Sequence, residues 1–185
     1  TLAEQVMFRA QSDEACIRVW ERNLDTGGVS VHDVLPEAER HLDFGDLAVF
    51  YDEGMVAHLK ALRLAVLPNE TGGVLLGYHD FNVGAIVLVD ALPAPSDSHC
   101  SPGSFERGIA DLAKAVQDAS ARTAGIVGYV GEWHSHPRGH AARPSQDDLI
   151  QLAELSLGMH DDGLPALQLI VGENDIEVLK GTVKT

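Results

Sequence analysis

From Leu47 onward the apolar positions alternate between two kinds of run. Some are short and continuous, as in strands buried on both faces; others recur every three or four residues, as on one face of a helix. Ala48-Val-Phe-Tyr51 reads as a short strand. Met55, Leu59, Leu62 and Val66 then recur at helical spacing, which predicts an amphipathic helix over 53–67 that Pro68-Asn69 stops. Gly73-Val-Leu-Leu-Gly-Tyr78 and Ala85-Ile-Val-Leu-Val-Asp90 predict two core strands. A Pro/Ser-rich loop is expected over 92–103, and Phe105, Ile109, Leu112 and Val116 predict a second helix over 104–121. A third core strand is expected over 126–133, a polar loop after it, and a third helix over 146–157. Strands at 167–171 and 175–179 around Gly172-Glu-Asn174 close the chain. There is no internal repeat and no low-complexity tract.

The first part of the chain has a different texture. Cys16-Ile-Arg-Val-Trp-Glu-Arg22 and Val29-Ser-Val-His-Asp-Val34 alternate around Leu24-Asp-Thr-Gly-Gly28, the pattern of a β-hairpin. Pro36 and the charged stretch Glu37 to Asp46 read as a connector. The expected organisation is an N-terminal extension over 1–45, of open role, and an α/β domain over 46–185 built on a mixed sheet flanked by helices.

Composition narrows the function classes. Apolar residues make up 45 % of the 185 residues, enough for a packed core. No apolar run approaches the ~20 residues that span a bilayer, so no membrane partner is expected. The formal charge is −15, from 13 basic and 28 acidic residues, with no Lys/Arg cluster. A duplex binder needs a basic footprint, so nucleic acid is not an expected partner. The acidic excess reads first as a solvated surface. The two cysteines, Cys16 and Cys100, form no C-x-x-C pair. Cys100 sits in a Ser/Asp/Gly/Pro-rich segment beside His99, a loop and not a nucleophile–base pair. The chain begins at Thr1 and shows no basic start followed by a small-residue cleavage site, so a reducing cytoplasm is the expected compartment and a domain excised from a longer product is one reading of the start.

The chemistry is concentrated in Gly131-Glu-Trp-His-Ser-His-Pro137 and the Ser145-Gln-Asp-Asp148 that follows. His134 and His136 are two apart at the end of a predicted strand, so both imidazoles leave the same face. Pro137 takes the chain out of the sheet. Ser145 stands at an N-cap position, and Asp148 falls in the first turn of the helix behind it, where its carboxylate can turn back toward the strand end. Two imidazoles and one carboxylate make three ligands of a tetrahedral zinc site and leave the fourth position open, as in catalytic centres. His-x-His alone is common, and Ser-x-x-Asp alone is ordinary capping; their order across strand, loop and helix is what gives them weight. Glu132 shares the strand face of the two histidines, and its plainer role is to orient a ligand imidazole. Trp133 points to the opposite face, toward the core. His140 lies on the intervening loop, which reads as mobile, and is expected to face solvent or substrate.

These residues resemble the signature of the JAB/MPN (JAMM) metallopeptidases, and Gly131 to Pro137 is especially similar to the prokaryotic members. The resemblance covers roughly 47–180. It implies a JAB/MPN-like α/β fold, one zinc per chain held by His134, His136 and Asp148, and a working carboxylate upstream. Glu70-Thr-Gly-Gly-Val-Leu-Leu-Gly77 stands in the family's place for that glutamate. Glu70 is thereby the expected proton shuttle, with Glu132 as the rival that spacing alone does not remove, and Ser145 the expected hydrogen-bond donor to the oxyanion. One departure is an eight-residue interval, 137–144, between His136 and Ser145, where the common eukaryotic form has about seven. Counting from His136 selects Asp147 as ligand; counting from Ser145 selects Asp148, which is preferred because Ser145 and the carboxylate share one helical turn, with Leu149 expected to begin the buried face.

The resemblance further implies a deubiquitinase-like isopeptidase acting at the C-terminal tail of a ubiquitin-like protein or its conjugates, alongside E1-like and E2-like enzymes, several such systems serving antiviral (phage) defence. The loops at 92–103 and 138–144 would then form the groove for the tail. Other readings within reach of the sequence are processing of a ubiquitin-fold sulfur-carrier protein, a metal-free scaffold copy of the fold, and a DNA-repair relative that the −15 charge disfavours.

Overall fold

The computed structural model describes residues 17–22, 26–34 and 38–183. The chain divides into two compact units, Thr1–Ala38 and Glu39–Thr185. In the first, β1 (Ile17–Arg22) pairs antiparallel with β2 (Val29–Val34), Arg22 opposite Val29. This is the expected hairpin; Gly27 takes the positive φ of 70° that its turn needs. Cys16, Leu24 and Asp25 of that reading lie outside the described residues, as do Pro36 and Glu37.

The second unit begins earlier than the sequence suggests. Glu39–Asp43 is not a connector but a strand, β3, paired antiparallel with β4 (Ala48–Asp52), so the boundary moves from 45/46 to 38/39. As an edge strand it buries little, and only Leu42 packs on the core; hence the missing apolar alternation.

The remaining elements are α1 (Glu53–Val66), β5 (Gly72–Asp80), β6 (Ala85–Ala91), β7 (His99–Ser101), β8 (Ser104–Glu106), α2 (Leu112–Arg122), β9 (Gly128–Ser135), α3 (Gln146–His160), β10 (Ala166–Val171) and β11 (Ile176–Gly181). Seven strands form one mixed sheet in the order β11-β10-β9-β5-β6-β4-β3, and β7 and β8 form a separate small hairpin. Side-chain alternation assigns the faces. Leu75 joins Met55, Val56 and Leu59 of α1 in the main core, with Val49, Ile86, Trp133, Leu167 and Leu169. Its neighbours Val74 and Leu76 face the other way and pack with Ala119, Leu112 and Val116 of α2. Gln168 points to that second face too, where its Nε2 donates to Gln151 Oε1 of α3 at 2.9 Å. The chain is thus an α/β fold: a mixed sheet with α1 on one side and α2 and α3 on the other. Among the described residues no helix is long and apolar enough to cross a membrane.

Several helix expectations need correction. The helix expected over 104–121 starts only at Leu112. Phe105 is in β8, and Ile109 is 77 % exposed. The intervening segment wraps around Asp97, whose carboxylate accepts from the amides of Ile109 (3.1 Å) and Ala110 (2.9 Å), and this local capping holds the chain out of helical geometry. The loop expected over 92–103 contains β7. Val66 and Leu149 do not lie on buried faces.

Candidate active site

The centre of the sheet positions the site by its ladders. At its C-terminal end β9 lies between β5 and β10, with His134 opposite Gly72 on one side and Ile170 on the other. At the last residue of β9 and just past it the pairing continues through single bonds. The Ser135 amide donates to Thr71 O at 2.7 Å, and the His136 amide to Val171 O at 2.9 Å. Glu70, the residue before Thr71 as the chain enters β5, therefore arrives at the same end of the sheet, its amide donating to Ser101 O at 2.8 Å. The close approach explains Gly72: a Cβ there would stand 2.4 Å from the Phe105 ring and 2.4 Å from Trp133 O. Trp133 itself is in the main core, as expected, with Nε1 donating to Leu92 O at 2.8 Å.

The third element is α3. Ser145 is its N-cap, accepting from the Asp148 amide at 3.2 Å, and the Asp148 carboxylate accepts from the Ser145 amide at 2.7 Å, which completes a capping box. That bond turns the carboxylate back toward β9. Asp148 Oδ1 lies 3.0 Å from His134 Nε2, and Oδ2 lies 3.5 Å from His136 Nε2. One donor atom from each of the three residues falls within 4.8 Å of the others. Asp147 is exposed and stands outside this group.

The electrostatics follow from this crowding. Burial by itself would raise the Asp148 carboxyl, but the imidazoles of His134 and His136 and the Ser145 amide outweigh it and hold the group far below the usual carboxylate range. Glu70 goes the other way. Burial raises it, and the neighbouring His136 and His134 only partly offset that. Two carboxylates at one site are thus pushed apart, one fixed as an anion and one nearer to proton exchange. Glu70, His134, His136, Ser145 and Asp148 all line one open cleft of about 940 Å³, and the β7–β8 hairpin and the 137–144 loop contribute to its walls.

Glu132 shares the sheet face but not the cleft. Its Oε1 accepts from Arg107 Nη2 at 2.7 Å and from the Tyr129 hydroxyl at 3.2 Å. The hydroxyl's proton is held tightly there, burial and the Glu132 charge both raising the Tyr129 pKa. His140 is exposed on the cleft rim, its Nδ1 3.0 Å from Arg138 O.

The stretch 52–179 matches the family described as prokaryotic homologs of the JAB domain. The chain belongs to that family. A curated relative from Enterobacter hormaechei subsp. hoffmannii (strain UCI 50), named CD-NTase/cGAS isopeptidase, is 33 % identical over 104 residues, which are 56 % of this chain and 56 % of that protein. The match thus spans little more than half the length of that relative. Solution structures of proteins from Desulfitobacterium hafniense and Salinibacter ruber are similar at 24 % and 21 % identity, with TM-scores of 0.45 and 0.39. Each comparison covers 71 % of this chain, with 86 % and 79 % of the respective structures.

The donor set of this JAB domain suits a cation. His134 Nε2 is buried and, despite its short distance to Asp148, makes no aligned hydrogen bond. An orphaned buried imidazole nitrogen is costly unless something binds it, and two nitrogens with one carboxylate oxygen suit zinc. The His136 ring is oriented for the same role, its Nδ1 lying 2.8 Å from Ala141 O, which leaves Nε2 to face Asp148.

Sequence reasoning missed several supporting residues. The 137–144 loop is tied down rather than mobile. The Gly139 amide donates to Glu173 Oε2 at 2.9 Å, the Ala142 amide to Asp175 Oδ1 at 3.0 Å, and the Glu173 amide to His140 O at 3.0 Å. The β10–β11 turn thus absorbs the loop's length. Arg107, which holds Glu132, and Phe105, which covers Gly72, carried no local signal. Arg63 did carry one, as a charge falling on the apolar stripe of α1 at Met55, Leu59 and Arg63.

Proposed function

We propose that the chain is a zinc-dependent hydrolase of peptide or isopeptide bonds at the C-terminus of a ubiquitin-like protein, with His134, His136 and Asp148 as the metal ligands. The observation that carries this reading is the convergence of these three side chains, from a strand end and a helix N-terminus, beside a carboxylate of raised pKa in an open cleft. Membership of the JAB-domain family and the isopeptidase name of the Enterobacter relative support the same class of reaction.

When bound, zinc would acidify a water molecule and polarise the scissile carbonyl. The chain's residues would do the rest. Glu70 accepts a proton from the attacking water and returns it to the leaving amine, a role suited to a carboxylate raised toward neutrality by burial. The Ser145 Oγ accepts from the Asp148 amide and keeps its own proton free to donate to the developing oxyanion. The cleft between the β7–β8 hairpin and the 137–144 loop receives the substrate's extended tail. The proposed setting is a cytoplasmic ubiquitin-like conjugation pathway with E1-like and E2-like partners, in antiviral defence.

The test is a ubiquitin-like protein fused through its C-terminal glycine to a reporter. Cleavage should stop when the metal is chelated and return with stoichiometric zinc. Cleavage that chelation leaves untouched would overturn the zinc reading, and a metal-loaded protein inert on every ubiquitin-like fusion tried would overturn the substrate class.

A further inference from the structure

Arg63 is a buried cation that the proposed chemistry does not use. It lies on the inner face of α1 and is only 4 % exposed. Among the described residues no carboxylate pairs with it. A guanidinium so placed is expensive unless its donors are engaged. Two of them are engaged by successive backbone carbonyls: Nε donates to His136 O at 2.8 Å and Nη2 to Pro137 O at 3.0 Å.

Those two carbonyls lie where the sheet has run out. His134 is held within β9 by pairing to both sides. His136 lies beyond the end of the strand, and Pro137 has no N–H with which to continue a ladder. The last ladder-like bond is the His136 amide to Val171 O at 2.9 Å. Arg63 fixes the peptide planes on the other side of the residue, and Ala141 O fixes the ring through Nδ1 at 2.8 Å. We propose that Arg63 is a positioning residue for the metal centre, its two-pronged hold on the His136 and Pro137 carbonyls aiming the His136 imidazole at the cation. The inference rests on the metal-centre reading above. The geometry calls for arginine in particular, since a planar fork reaches two adjacent oxygens at fixed separation and a lysine ammonium, a single point of charge, does not.

The test compares Arg63→Met and Arg63→Lys with Leu59→Ala, a cavity-forming change one turn away on the same buried face of α1. Zinc affinity is read by competition with a chromophoric chelator, ligand geometry by the visible absorption of the cobalt(II)-loaded protein, and folding by circular dichroism and thermal midpoint. Both Arg63 variants should bind zinc roughly 10–100-fold more weakly, the range for losing support behind a metal ligand, with a shifted cobalt spectrum. Leu59→Ala should lower the thermal midpoint and leave zinc affinity and cobalt spectrum as in the wild type. If Arg63→Met does not fold, Arg63→Lys decides. Folded Arg63 variants with wild-type affinity and spectrum would overturn the inference, as would an equal loss of affinity in Leu59→Ala. A wild-type chain that takes up neither zinc nor cobalt overturns the metal-centre reading itself, and the inference with it.

Discussion

The two sides of the site are held by different physics. His134 sits in a central strand, paired on one side to Gly72 and on the other to Ile170, and is 6 % exposed. Its place follows from backbone ladders, and no particular side chain has to hold it. Asp148 reaches the same point from α3, across the loop over 137–144. Its place depends on a few side-chain hydrogen bonds: the capping box with Ser145, and the Glu173 and Asp175 tethers to the loop. His134 should therefore keep its place through polar changes around it. The helix side should respond to single changes in its supports.

The largest effect expected is removal of a ligand. His134→Ala and His136→Ala should each take the purified protein from about one zinc per chain to almost none, as measured by elemental analysis. Full zinc in both variants would mean that the ligands are elsewhere. Next is Glu70→Gln, which keeps the side chain's shape and removes its basic oxygen. It should retain zinc and lose roughly 10²–10⁴-fold in turnover on the reporter fusion, the usual contribution of a general acid–base. Glu132→Gln should lose much less, because Glu132 is occupied by Arg107 and Tyr129 and does not line the cleft. The opposite ranking of the two variants would transfer the shuttle role to Glu132.

What the sequence made legible follows the same division. Alternation along β9 and the capping pattern at Ser145 are local rules, so the directions of His134, His136 and Asp148 could be read without the rest of the chain. The core strands were visible as continuous apolar runs. The supports were not, because each joins distant segments. Phe105, Ile109, Leu112 and Val116 imitate a helical period, yet Phe105 belongs to the separate β7–β8 hairpin, from which its ring stands against Gly72. The β3 edge has almost nothing to bury. Glu173 and Asp175 look like ordinary turn residues until the loop folds onto them. Arg63 went unread, although a charge in step with Met55 and Leu59 was a signal, and the carbonyls it serves are 73 and 74 residues away.

The helix side can be probed at the ligand itself. Asp148→Asn should weaken zinc binding much more than Asp147→Asn, because only Asp148 turns toward the two imidazoles while Asp147 is exposed. An amide keeps the shape but gives up the charge that the cation needs. Chelator competition on the two variants makes the comparison directly. Equal affinities would overturn the choice of Asp148, and the reverse order would restore the count taken from His136.

The smallest effect expected is at Ser145, and it separates two roles. As an N-cap, its Oγ accepts from the Asp148 amide, and Ser145→Ala should cost ~1 kcal/mol of stability, the ordinary price of a lost cap. In a domain of this size that lowers the thermal midpoint by a few degrees. The Ser145 amide still donates to the Asp148 carboxylate, so half of the capping box survives and zinc affinity should fall only slightly. As an oxyanion donor, Ser145 acts only in the transition state, and its loss should appear in kcat with KM nearly unchanged. Ser145→Asn restores the cap acceptor without restoring a hydroxyl in the same place. If Ser145→Asn recovers the thermal midpoint but not kcat, both roles are present. If it recovers both, capping accounts for everything and the oxyanion role falls. If Ser145→Ala changes stability while kcat stays at the wild-type value, the same conclusion follows from one variant. A large loss of zinc in Ser145→Ala would instead show that the Oγ bond to the Asp148 amide, rather than the amide of Ser145, aims the carboxylate at the imidazoles.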